Sequence, residues 1–147
     1  MNFESLLRRI DTFEFSQFSG PVPLELVYEA ERVIALPFSP EYRQFLHKLG
    51  SGSVESEEFI GLGGLPHLDV VKVQKDLLSQ RNPILRHLTP LRGDGFGNYE
   101  CMDTSAPTEN GEFAIVQWLH DGGANQVCER LATSYFVWFG SVLDLIA

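Results

Sequence analysis

The residues best suited to chemistry lie in and after a glycine-rich stretch, residues 92–103, which reads RGDGFGNYECMD. Asp94 and Asp103 lie within it, and His120 follows where a later strand is predicted to end. If neighbouring strand ends brought these three side chains together, they could form a weak metal site or serve a small-molecule or metal-dependent enzyme. The alternative is that His120 and Asp121 hydrogen-bond turn amides, which is the usual role of polar residues at turns. We therefore expect no metal site and no catalytic residue among them.

The same stretch has the composition of a turn between two strands. Asp94-Gly95 lies between apolar-rich runs, and this pattern is among the strongest signals for a β-hairpin. A calcium loop would need an acid where Phe96 stands, and a dinucleotide fingerprint would need its third glycine one residue later, followed by a helix. We expect a tight hairpin that leads into a strand at residues 98–103. The residues expected to shape the turn, because they tolerate positive φ, are Gly93, Gly95, Gly97 and Asn98.

Nucleophilic catalysis has little support elsewhere in the chain. Cys101 and Cys128 are far apart and form no CxxC motif, which disfavours a zinc knuckle or a thioredoxin-like site. Ser51 and Ser53 stand outside any G-x-S-x-G motif. We therefore predict that the protein is not an enzyme and that it needs no cofactor.

The charge balance favours a protein partner over a nucleic acid. The 147 residues include 20 acids and 11 bases, which gives a net charge of −9 at pH 7. An acidic surface repels phosphate backbones, whereas it attracts basic proteins and speeds their approach. We expect a basic protein partner and no direct binding of nucleic acid.

The sequence lacks the signals of a membrane or secreted protein. No apolar run approaches the roughly 20 residues that a membrane-spanning helix needs. The N-terminus, MNFESLLRRIDTFEF, has an early acid and central arginines in place of the basic start and continuous apolar stretch of a signal peptide. We expect a cytoplasmic protein that does not bind a membrane.

Hydrophobic periodicity predicts helices first and strands later. The predicted helices cover residues 4–13, 23–35, 40–49, one after Asp69, and 134–146. The predicted strands cover residues 53–54, 58–62, 88–91, 98–103 and 113–119, with a loop at 104–111. This order predicts an α+β fold in a single domain, with N-terminal helices, a mostly antiparallel twisted sheet and a C-terminal helix.

Several motifs, taken in order along the chain, resemble one known family. GDGFGNYECMDTS, residues 93–105, resembles the glycine-rich hairpin of the SUKH superfamily, also called the SMI/KNR family. Leu36-Pro37 and Gly50-Ser51-Gly52 resemble its upstream segment, while residues 114–121 and 132–139 resemble its His-Asp strand and its closing helix. The resemblance spans roughly residues 22–140. We therefore assign residues 1–147 to one SUKH-like domain with its core at residues 22–147.

Two departures from the family pattern fall at helix boundaries. Gly50-Ser51-Gly52 stands where the family often has Asn-Gly-Gly, and Pro37 lies slightly farther from Tyr42 than usual. Neither threatens the fold, but either could alter a binding surface.

The resemblance implies a non-enzymatic binding protein. Bacterial members of the family look like immunity proteins that neutralise toxins of polymorphic or contact-dependent systems, and eukaryotic relatives look like adaptors in cell-wall and signalling pathways. The acidic balance suits the first role, because many such toxins are nucleases with basic surfaces. We therefore expect an immunity protein for a cognate toxin, with a nuclease as the favoured kind. The alternative is a general protein- or peptide-binding adaptor with no toxin partner.

Acidic side chains at predicted turns are the candidates for contact with that partner. If helices cover one side of the sheet, these turns lie along one edge and present negative potential together. The alternative is an ordinary solvated rim of charges. The acids expected at the interface are Glu55, Glu57, Glu58, Asp94, Asp103, Glu109 and Glu112.

Overall fold

The computed structural model describes residues 1–147 and contains five α-helices and seven strands. The helices are α1 (Phe3–Ile10), α2 (Leu24–Ile34), α3 (Pro40–Lys48), α4 (Val70–Leu78) and α5 (Tyr135–Ile146). The strands are β1 (Ser16–Phe18), β2 (Gly52–Val54), β3 (Glu57–Phe59), β4 (Leu88–Gly93), β5 (Tyr99–Pro107), β6 (Phe113–Trp118) and β7 (Glu129–Ala132). The α+β class and the closing C-terminal helix are confirmed.

The strands form two antiparallel sheets where the sequence predicted one. The first has the order β1-β2-β3 and the second has the order β4-β5-β6-β7. They meet where the backbone N–H of Ile60, just after β3, donates to the carbonyl of Leu91 in β4 at 2.9 Å. This contact places the β2–β3 turn beside the second sheet.

Side-chain caps fix the starts of four helices, because they satisfy amides that have no partner within the helix. Asn2 accepts from the N–H of Ser5 at 2.9 Å in α1. The Ser39 hydroxyl accepts from the N–H of Tyr42 at 3.3 Å, with Pro40 in the first turn of α3. Asp69 accepts from the N–H of Lys72 at 3.1 Å in α4. Ser134 accepts from the N–H of Val137 at 3.4 Å in α5. Ser39 before Pro40, and Asp69 before a helical apolar spacing, predict the caps of α3 and α4, and the structure confirms both.

The sequence misses two strands and the end of a third, because these depend on non-local pairing, and it places the start of one helix a residue early. β1 and β7 have no clear alternation of buried and exposed residues, and they form because they hydrogen-bond to β2 and β6. β5 continues to Pro107, into the segment predicted as a loop, because its end pairs with Phe113 of β6. α2 begins at Leu24, so that Pro23 is its N-cap and not its first residue.

One hydrophobic cluster of 33 buried residues joins the helices to both sheets. α5 supplies much of its aromatic content. The rings of Phe139 and Phe59 stack with their centroids 3.9 Å apart, and Tyr135 packs against Tyr42 of α3 at 5.0 Å. The buried hydroxyl of Tyr42 donates to the carbonyl of Ile60 at 3.0 Å. These contacts fix α3, α5 and β3 relative to one another.

None of the five helices is long enough and apolar enough to cross a lipid bilayer.

Candidate protein-binding surface

The glycine-rich stretch is a hairpin whose backbone is held by one carboxylate. Asp94 accepts from the N–H of Phe96 at 2.7 Å, from the N–H of Asn98 at 3.2 Å and from the Asn98 side-chain amide at 2.8 Å. Partial burial raises the pKa of Asp94, but these hydrogen bonds outweigh it, so that the pKa lies below its usual value. Gly95 and Gly97 adopt positive φ of 84° and 95°, which favours glycine at both positions.

The hairpin presents an aromatic side chain to solvent. Phe96, at its tip, is 82% exposed, although its own backbone N–H is bound to Asp94. At the base, Asn98 Oδ1 accepts from the backbone N–H of His120 at 3.1 Å. The loop therefore holds the backbone at Phe96 in a defined conformation, which lowers the entropy cost of ordering this segment when a partner binds.

A second exposed aromatic accompanies the acidic turn between β2 and β3. The backbone of Glu55 has positive φ, and its N–H donates to the carbonyl of Phe15 at 2.6 Å. Phe15 is 64% exposed. Glu58 is exposed and contacts the His67 ring at 2.9 Å. Glu55 thus lies on this turn, with Phe15 hydrogen-bonded beside it and Glu58 in the strand that follows.

Arg92 connects this turn to the hairpin. Its guanidinium bonds Glu57 on β3 and also donates to Glu100 on β5 at 2.8 Å, while Trp138 of α5 donates to the same Glu100 oxygen at 3.1 Å. Burial lowers the pKa of Arg92, but the hydrogen bond to Glu100 and the two nearby carboxylates raise it by more. The pKa therefore lies above its usual value, and the guanidinium stays charged. The network fixes the turn beside the hairpin.

The remaining predicted acids lie at the other end of the second sheet. β5 leaves the hairpin at Tyr99, and Asp103 pairs with Leu88 and Ala114 farther along. At roughly 3.3 Å per residue, Asp103 is about 16 Å from Asn98 along the strand. Its carboxylate is only 15% exposed and accepts from the N–H and hydroxyl of Ser105. Glu109 is exposed, but it lies in the turn after β5. The acids therefore do not form one continuous edge.

Glu112 was expected at the partner interface, but the structure places it in the interior, with 4% of its surface exposed. It accepts from the backbone N–H of Glu41 at 3.0 Å and from that of Tyr135 at 3.5 Å. These amides belong to the first turns of α3 and α5, which leave amides without helical partners. Burial raises the pKa of Glu112. A side chain enclosed in this way cannot contact a partner, so we remove it from the candidate surface.

The three residues considered for a metal site or an enzyme do not converge. His120 lies near the hairpin of Asp94 through its backbone bond to Asn98, while Asp103 lies far along β5. No group of three or more His, Cys, Asp and Glu side chains is arranged to hold a metal ion. The loop after His120 is braced by Gln126, whose side chain bonds the backbone of Leu119. The side chains of His120 and Asp121 make no hydrogen bond to turn amides, so the role predicted for them belongs to Gln126.

The cysteines lie outside the candidate surface. Burial raises the pKa of the Cys101 thiol well above its usual value, and it raises the pKa of Cys128 as well. Both thiols therefore stay protonated at neutral pH, a state that disfavours nucleophilic attack.

Sequence reasoning missed Phe96, Phe15 and Arg92 as contributors to this surface. A signal for Phe96 was present, since an aromatic residue between two turn glycines has no neighbours to bury it. Phe15 and Arg92 gave no such signal, because their roles depend on Glu55 and Glu57, which are distant in sequence.

Comparison with known proteins identifies the family of this chain. A search of curated proteins found no match. A family model, SUKH_6, described as SMI1-KNR4 cell-wall, matches residues 24–139. The match begins with α2 and ends within α5, and it includes the hairpin with Phe96. Since it covers well over half of the chain, the protein belongs to the SUKH_6 family of SMI1-KNR4 proteins.

Proposed function

We propose that this protein is a non-enzymatic binding domain that acts as an immunity protein, neutralising a basic toxin domain in the cytoplasm. The observation that carries the proposal is a hairpin with a hydrogen-bonded backbone, which exposes Phe96 and is joined to an acidic turn through Arg92. We call Phe15, Glu55, Glu58, Asp94 and Phe96 the hairpin surface.

The composition of the hairpin surface suits a basic protein partner. Aromatic anchors contribute much of the binding energy at interfaces, while charges at the rim mainly accelerate association. The chain as a whole carries a net charge of −9, which adds long-range attraction toward a cationic protein. A nuclease fits this description, because its substrate-binding surface must be basic to contact phosphates.

Family membership supports a binding role over a catalytic one. SUKH proteins include immunity proteins and are generally non-catalytic. In the structure, the polar side chains of the hairpin hydrogen-bond its own backbone and are not arranged around a reactive atom. The same surface would serve an adaptor that binds a protein or peptide without any toxin, so the partner must be identified by experiment.

The direct test is reconstitution with a toxin domain encoded beside this gene. We expect a stoichiometric complex by size-exclusion chromatography, and loss of toxin activity when the complex forms. Phe96→Ala should weaken the complex by about tenfold or more, since a buried aromatic anchor contributes about 2 kcal/mol or more. Leu145→Ala is the matched control, because Leu145 is also exposed but lies on the last turn of α5.

A toxin that stays fully active in saturating amounts of this protein would overturn the immunity role. If the protein instead captured a non-toxic protein through Phe96, the adaptor alternative would replace it. Equal weakening by the Phe96 and Leu145 variants would move the binding site away from the hairpin surface.

A further inference from the structure

A cleft on the second sheet differs in charge from the rest of the molecule. It has a volume of about 380 Å³ and lies between the segment that leads into β4 and the loop that follows β6. Arg81, Arg86 and His120 line it, and no acidic residue does. In a chain of net charge −9, such a concentration of basic groups in one concavity is unexpected.

The two arginines of the cleft are free to bind a ligand. Neither takes part in an ion pair within 4.0 Å, in contrast to Arg9, Arg32, Arg43 and Arg92. Neither donates a side-chain hydrogen bond to the protein, unlike Arg92. A planar guanidinium with unused donors is well suited to a carboxylate or a phosphate.

The walls of the cleft are held in place by the fold. On one side, the N–H of Ile84 donates to the carbonyl of Leu77 at 3.2 Å, and the Ile84 side chain is buried. On the other side, the Gln126 side chain bonds Leu119 and the carbonyl of Gly123. The ring of His120 lies against Gly97, where an added Cβ would come within 3.0 Å of it. Three braced segments thus converge on one concavity.

The lining also offers apolar surface between the basic groups. Pro83, Ile84, Leu85, Ala124 and the buried Trp118 contribute to it. Ligand sites commonly have volumes of about 300–1,000 Å³ and combine an apolar lining with a few placed polar groups. A nucleic acid fits poorly here, because the acidic molecule repels an extended phosphate backbone.

We propose that this cleft binds a small organic anion, in which a carboxylate or phosphate is carried on an apolar body. The oxyanion contacts Arg81 and Arg86, and the apolar body packs against Pro83 and Leu85, above the buried Trp118. This site is separate from the hairpin surface, and it does not depend on the proposed toxin partner.

The test is a titration of the full chain in which amide and indole NMR signals report binding. The probes are phenylacetate, phenyl phosphate, inorganic phosphate and neutral benzyl alcohol. We expect the first two to cause saturable shifts at Trp118, Gly123 and Ala124, and their relative affinities identify the preferred oxyanion. Inorganic phosphate and benzyl alcohol should each bind at least about tenfold more weakly, because each lacks one half of the recognised chemistry.

Variants assign the binding to the arginines. Arg81→Gln/Arg86→Gln should weaken phenylacetate binding by at least about tenfold, while Arg8→Gln/Arg130→Gln makes the same charge change outside the cleft. Arg81→Glu/Arg86→Glu should reject phenylacetate and bind phenethylammonium instead. The proposal is overturned if benzyl alcohol binds as tightly as phenylacetate or if both glutamine pairs weaken binding equally. Absence of saturable shifts at the cleft would also overturn it.

Discussion

At the scale of single residues, one carboxylate connects two helices across the molecule. Glu112 accepts from the first turn of α3 through Glu41 and from the first turn of α5 through Tyr135. Glu41 in turn accepts from the N–H of Phe136 at 2.7 Å. Two acids therefore satisfy three backbone amides at helix N-termini, where negative charge is also favoured by the helix dipole.

Removing the Glu112 side chain should destabilise the fold. Glu112→Ala leaves the amides of Glu41 and Tyr135 without acceptors, and a lost buried acceptor of this kind costs about 1–3 kcal/mol. We expect a decrease of that size in the free energy of unfolding, measured by urea denaturation. Glu109→Ala is the control, since Glu109 is exposed in the preceding turn, and it should change stability by less than about 0.5 kcal/mol. Equal effects of the two changes would contradict the assigned role of Glu112.

The pH dependence of that stability has a definite sign. Because burial raises the pKa of Glu112 above its usual value of 4.5, the folded state binds the proton more tightly than the unfolded state does. The contribution of this group is therefore greatest below pH 4.5 and decreases as pH rises through the folded-state pKa. Wild type should lose stability relative to Glu112→Ala over that interval, in denaturation series at successive pH values. A difference that grows with pH would show that the pKa is lowered.

The sequence could not reveal the environment of Glu112. Its partners are 71 and 23 residues away, and no local pattern around it distinguishes it from Glu109. Asp94 is the opposite case, because all its partners lie within four residues. A turn motif therefore predicted its surroundings.

At the scale of elements, features that depend on residues close in sequence could be predicted, and features that depend on distant residues could not. The caps of α3 and α4 depend on a residue three positions away, so the sequence indicates them directly. β1 and β7 depend on registers with β2 and β6, and short edge strands have too few buried positions to show a period. In α2, Leu26 and Val33 match a helical stripe yet are exposed, because no neighbouring element covers that side.

The hairpin offers a matched pair of glycine substitutions. Both Gly95 and Gly97 have positive φ, so alanine at either position costs about 1–2 kcal/mol of backbone strain. An added Cβ at Gly95 meets nothing within 4 Å, whereas at Gly97 it lies 3.0 Å from Cδ2 of His120. We expect Gly97→Ala to be more destabilising than Gly95→Ala by about 1 kcal/mol or more, because displacing a packed ring carries a cost of that order. Thermal unfolding of both variants measures the difference.

The NMR signals of His120 distinguish backbone strain, which both variants introduce, from the contact with the His120 ring, which only Gly97→Ala introduces. Gly97→Ala should shift the imidazole signals and the amide of His120, while Gly95→Ala should leave them close to wild type. If both variants lost the same stability and left His120 unchanged, the contact between Gly97 and the ring would have no energetic effect.

At the scale of the whole molecule, the net charge of −9 hides an uneven distribution. Glu55 makes no ion pair and Glu58 contacts only His67, while Glu57 and Glu100 share the single positive charge of Arg92. Arg81 and Arg86, which form no ion pair, both line the cleft together with His120. The composition gives only the sum of these charges. Their positions follow from the fold, because the cleft joins residues 81–86 to the distant segment 118–126.

This distribution allows a test of whether a basic partner responds to the local surface or to the overall charge. Glu55→Lys/Glu58→Lys and Glu109→Lys/Glu129→Lys each change the net charge from −9 to −5, but only the first pair lies on the hairpin surface. We expect the first pair to slow association with the toxin domain at least about tenfold at low salt, and the second pair to slow it much less, because unlike charges steer encounter most strongly at short range.

Stopped-flow association rates at increasing NaCl measure both effects. The difference between the pairs should shrink as the Debye length falls below about 10 Å. Equal slowing by the two pairs would mean that the partner is attracted by the overall charge, and that the acids of the β2–β3 turn have no special part in its recognition.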